Sequence, residues 1–143
     1  MKTLSTILSI TLLAGATAAS ADPIKTFKAL CLAHPGDTGA IVAAGKKAGF
    51  VPMSLGSDMD KNTFIGEKKS TGEALEVNAF TSHSFECALA VDDMQNPEAV
   101  RAAFFKAIGL PTDDITARGT IGGKTYTFLH DTNGGETFVM FAD

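Results

Sequence analysis

Hydrophobic and polar positions change period several times along this chain, and each change predicts an element. Ile24, Phe27, Cys31 and His34 recur at i, i+3, i+7 and i+10, the spacing of one helix face. With Asp22 as N-cap and Pro23 at the first helical position, they predict a helix from Pro23 to about Ala33, broken by Pro35-Gly36. Asp37 can cap a second helix through about Ala48. Gly49 then ends it, Phe50 folds back on the last turn, and Pro52 prevents continuation. A third helix has Asn96 as cap, Pro97 at its first position and Glu98 favouring its N-terminus. Val100, Ala103, Phe104, Ala107 and Ile108 form its apolar stripe, and Gly109 with Pro111 stops it.

Elsewhere the period drops to two. Thr63 to Lys68 reads as an edge strand, followed by a turn at Lys69-Ser70-Thr71-Gly72. Leu75, Val77 and Ala79 alternate with Glu76, Asn78 and Phe80, and Phe85, Cys87, Leu89 and Val91 alternate with Glu86, Ala88, Ala90 and Asp92. Lys124 to His130 and Glu136 to Ala142 form a hairpin through Asp131-Thr132-Asn133-Gly134-Gly135, where Asn-Gly is a strong turn signal. The order lacks the βαβ alternation of a parallel sheet. The expected fold is α+β: an antiparallel sheet of four to five strands, about three helices on one face, and one disulfide.

The N-terminus departs from this patterning. Met1-Lys2 precedes an apolar run from Leu4 to Leu13 and an Ala-rich end with Ala19-Ser20-Ala21, the layout of a secretory signal with an A-x-A cleavage site. Residues 1–21 are therefore expected to be a signal peptide and residues 22–143 one domain, periplasmic or secreted after cleavage near Ala21. Residue 16 is alanine where a lipoprotein signal would need cysteine, and no apolar run reaches the roughly 20 residues of a membrane span. No membrane anchor is expected.

Composition agrees with a folded domain. The chain has 143 residues, 20% charged, with ten phenylalanines, unlike a disordered segment. Twelve Lys+Arg face 16 Asp+Glu, and loss of Lys2 with the signal would leave a net charge of −5. An acidic balance argues against a nucleic-acid partner, whose footprint is a basic patch. The short basic pairs Lys46-Lys47 and Lys68-Lys69 read as solvated helix or hairpin surface.

Export would give the cysteines a role. Cys31 and Cys87 are the only two, and both fall on predicted core faces, so an oxidising compartment would join them as a structural staple. The other chemical patterns are weak. Gly119-Thr120-Ile121-Gly122-Gly123-Lys124-Thr125 falls one residue short of a phosphate-binding loop, and reads as a glycine turn feeding a hairpin. Asp58-Met59-Asp60-Lys61-Asn62 opens like a calcium loop, but Thr63 and Lys69 stand where glycine and glutamate are required. His34 is expected at the end of the first helix, His83 in a turn between Ser82 and Ser84, and His130 on one strand face with Tyr126 and Phe128. No Gly-x-Ser-x-Gly, Cys-x-x-Cys or haem-attachment pattern occurs. No catalytic motif, metal site or cofactor is expected.

The resulting expectation is a small exported, non-enzymatic binding or interaction protein: an inhibitor, an immunity-type factor or an accessory subunit. Its partner would be another envelope or secreted protein. The candidate interaction loop lies within residues 53–72, where Met53, Leu55 and Met59 offer adaptable apolar side chains beside Asp58 and Asp60. The alternatives are a carrier of a small ligand or metal, and a small exported hydrolase using His83 or His130.

Overall fold

The computed structural model describes residues 22–53, 62–79, 81–92, 96–132 and 135–143. The expected signal peptide, the loop residues Leu55, Asp58, Met59 and Asp60, and the Asn133-Gly134 turn lie outside the described residues. Three helices precede or interrupt seven strands. Helix α1 (Pro23–Phe27) runs directly into a π-helical turn, Lys28–Leu32. Helix α2 is Thr38–Lys47 and α3 is Pro97–Ala107. The strands are β1 (Val51–Pro52), β2 (Phe64–Lys68), β3 (Glu73–Val77), β4 (Phe85–Val91), β5 (Thr116–Ile121), β6 (Lys124–Asp131) and β7 (Glu136–Ala142). They form one antiparallel sheet in the order β1-β2-β3-β4-β7-β6-β5.

The α+β class holds, but the sheet has seven strands, not four to five. The two extra strands sit at its edges. β1 has only two residues and contains Pro52, too little pattern to detect. It lies outside Phe64–Lys68, so that segment is the second strand and not an edge. β5 was hidden because it offers the core Ala117, Gly119 and only one larger side chain, Ile121, with exposed Thr116, Arg118 and Thr120 alternating with them. Leu110 fills the space over Gly119, where a side chain would otherwise stand. Gly122 and Gly123 turn β5 into β6, both with positive φ (59° and 80°), as a two-residue type I′ turn demands. The glycine-rich stretch is thus a hairpin turn, with a strand before it and another after it.

Local signals explain the helices. The Asp22, Asp37 and Asn96 side chains each accept a backbone N–H at the helix start, at 3.2, 3.0 and 3.3 Å. The α3 stripe differs in one place: Phe105 is buried and Ala103 exposed, so the packed face is Val100, Phe104, Phe105 and Ile108. His34 lies two residues past Leu32, and its carbonyl accepts the Asp37 N–H at 3.1 Å. β3 ends at Val77, short of Phe80, because Asn78 turns to φ 50° and bonds Glu86 through both its N–H and its side-chain oxygen.

All three helices cover one sheet face. Leu75, Leu89 and Phe138 stand in register across β3, β4 and β7, two residues from Cys87 and Met140. Phe104 of α3 packs between Phe27 of α1 and Phe138, with ring centroids at 5.1 and 4.9 Å. Cys31 reaches down from the π turn and is bonded to Cys87, closing a separation of 56 residues. Such a loop is worth about 4 kcal/mol in the chain-entropy model. The variant Cys31→Ala/Cys87→Ala is therefore expected to lose about 3–5 kcal/mol of unfolding free energy, read from urea midpoints. An unchanged midpoint would mean that burial alone holds the helices down.

Candidate functional site

The last turn of α2 leads straight to Val51 and Met53, two of the three exposed large apolar side chains among the described residues. Gly49 takes φ 99° and lets the Phe50 N–H return to the Gly45 carbonyl at 3.0 Å, which swings the backbone into β1. Phe50 goes into the core, while Val51 and Met53 stay exposed (66% and 45%). Beside them, Gly49, Pro52, Glu67, Lys68, Lys69 and Ser70 complete the wall of a cleft of about 650 Å³. The Met53 N–H donates to the Ile65 carbonyl at 2.8 Å, and Pro52 faces Gly66 between the two bonded positions. The ring nitrogen of Pro52 therefore points away from the sheet with no hydrogen to offer, which blunts this edge against strand addition.

Of the candidate loop residues, only Met53 falls within the described chain. Within the same 53–72 segment, β2 (Phe64–Lys68) and the turn into β3 fall where the strand from Thr63 to Lys68 and the turn at 69–72 were expected. The sequence reading missed Val51, which carried no signal beyond a valine before a proline. It also missed that the two lysine pairs converge on this edge. Lys68 Nζ lies 6.0 Å from the Phe50 ring centroid and Lys46 Nζ 5.9 Å from that of Phe64.

The histidines meet carboxylates in two separate places. His130, 1% exposed, sits on the helix-covered face and touches Glu136 through Nε2. Arg101 of α3 donates its Nε–H to Nδ1 at 3.3 Å, so Nδ1 is the acceptor and the ring proton sits on Nε2. Burial lowers the His130 pKa, and Arg101 adds to this, against the opposing pull of Glu136 and Asp131. On the opposite face of the sheet, His83 stacks on Phe141 at 4.0 Å and its Nδ1 lies 2.6 Å from Asp143. Among the described residues no serine, threonine or cysteine bonds the other His83 nitrogen; Ser84 Oγ bonds the Ala142 carbonyl at 3.1 Å. Each pair could move a proton; among the described residues no serine, threonine or cysteine side chain bonds either histidine ring. His34 joins neither, and among the described residues no three His, Cys, Asp or Glu side chains gather as a metal site would need.

The face away from the helices also carries Glu76 and Glu86. Burial raises the Glu76 pKa, and repulsion from Glu86 adds to it. No family model, curated protein or solved structure matches this chain.

The two shifted groups act in opposite senses with pH. His130 is held neutral in the fold, so its contribution is complete above its free value of 6.5 and is lost as pH falls below that. Urea unfolding between pH 7 and 5 should show stability falling by up to about 1.4 kcal/mol per pH unit for this proton. His130→Gln should flatten that slope; an unchanged slope would assign the fall to other groups. Glu76 is disfavoured as an anion, a cost that disappears as pH falls toward 4.5. Glu76→Gln should therefore raise the unfolding midpoint at pH 7 but not at pH 4; an equal rise at both would point to packing instead of charge.

Proposed function

We propose that this chain is a small exported interaction protein that meets a partner polypeptide at its β1 edge. The observation that carries the reading is the pairing of Val51 and Met53, two exposed apolar side chains side by side on a rigid strand edge and next to a cleft of about 650 Å³. Large hydrophobic side chains exposed together mark contact surfaces more often than isolated ones do. Pro52 between them favours recognition through side chains over backbone pairing. Among the described residues no helix is long and apolar enough to cross a membrane. The Cys31–Cys87 bond suits an oxidising compartment, which supports export with residues 1–21 as the signal.

Mass spectrometry of the protein from its producing cells tests the export step. The expected chain begins at Asp22 and weighs two hydrogens less than its fully reduced form. For the binding step, a photo-crosslinking residue replaces Ser70 in the cleft wall, and Arg118 on the opposite edge in a control. Crosslinks to a second polypeptide are expected from position 70 and not from 118, and Val51→Asp should lower the yield at least about tenfold, the scale of one buried contact. Equal yields with and without Val51→Asp would overturn the reading.

A further inference from the structure

Two basic pairs that look like scattered surface in the sequence stand together in the fold. Lys46 and Lys47 end α2, Lys68 ends β2 and Lys69 opens the turn after it, so the connection through β1 brings the pairs to one edge. The Phe50 and Phe64 side chains both crowd the space over Gly66, and Lys68 and Lys46 stand over those two rings. Lys68 and Lys69 also form part of the cleft beside Val51 and Met53. Among the described residues the only carboxylate in that wall is Glu67. Glu73, opposite Lys68 on the next strand, is 1% exposed and is turned onto the Thr26 and Thr71 hydroxyls at 2.7 Å. Lys46 and Lys68 thus stand over adjoining rings at this edge, Lys69 joins Lys68 in the cleft wall, and Lys47 follows Lys46 at the end of α2, on a chain whose net charge is −4.

We propose that the β1 edge receives an acidic segment of the partner, with an apolar side chain seated in the cleft against Val51 and Met53 and its carboxylates on Lys46, Lys47, Lys68 and Lys69. This rests on the interaction reading above and adds the chemistry of the partner. Charge complementarity selects an acidic occupant, because a local basic patch attracts carboxylates and opposes like charge. The concave, side-chain-sized cleft selects a polypeptide over a lipid surface, which would meet protruding groups in preference to a recess. Glu67 within the wall tolerates discrete carboxylates on either side but opposes a continuous anionic sheet. Pro52 disfavours recognition by an added strand, so side chains carry the contact.

The test uses the full chain in the cells that produce it, with the photo-crosslinker at Ser70. The crosslinked segment is identified by mass spectrometry and should contain more Asp and Glu than Lys and Arg. Reversing all four lysines, K46E/K47E/K68E/K69E, should cut the yield at least about tenfold, while arginine at the same positions should retain it. A synthetic copy of that segment should bind the purified protein with an affinity that weakens at least about tenfold when salt rises from about 50 to about 500 mM. A thermal midpoint shared by the lysine variants and the parent assigns any loss to the surface. A lipid adduct, or a neutral or basic segment, overturns the proposal. So does an undiminished yield on charge reversal with loss on Val51→Asp, which leaves the interaction reading standing. An undiminished yield in both variants overturns both.

Discussion

The structure depends on covering one face of a seven-stranded sheet. Leu75, Leu89, Phe138, Met140 and Phe128 line up across β3, β4, β7 and β6, and none can be left in water. Each buried apolar side chain of that size is worth about 1.5–3 kcal/mol, so the cover cannot be partial. Three short helices supply it, none of them long enough to be stable alone. Phe27 and Phe104 interlock over Phe138, and the Cys31–Cys87 bond ties the first helical layer to the middle of the sheet.

The polar groups beneath the helices are accommodated by pairing. Glu73 is satisfied by two threonine hydroxyls, and Glu136 by His130, which Arg101 holds in one tautomer. No described buried side-chain polar atom lacks a partner. These residues read as supports of a rigid frame, and the exposed chemistry is at the rim. That division matches the proposed role, since a rigid frame loses little freedom when its edge is occupied.

Much of the fold was legible because its signals are local. Asp22-Pro23, Asp37, Asn96-Pro97 and the two-residue alternation of 85–91 each act within a few positions, and the structure has helices or a strand at each. The cysteines were legible as a pair because both lay on core faces. The edge strands were not: β1 is a Val-Pro pair, and β5 offers the core alanine and glycine besides Ile121 because Leu110 already occupies that volume. The π turn was equally hidden, since Phe27 and Cys31 fit either helical period. The candidate site was the least legible part. Lys46 and Lys68 are 22 positions apart, and only the reversal through β1 makes them neighbours. The apolar pair that marks the cleft straddles a proline that looked like a terminator.

The strand order also bears on how the chain reaches this structure. Every neighbouring pair of strands is a local hairpin except one, because β1 through β4 form one meander and β5 through β7 another. They meet only where β4 pairs with β7, from Phe85 against Ala142 to Val91 against Glu136. Loop-closure entropy must be met before such distant contacts contribute, whereas the hairpins close over a few residues. The β4–β7 seam therefore carries the largest loop-closure cost among the strand pairings. α3 lies in the intervening segment, and its eleven helical residues shorten the effective reach of the loop that has to close.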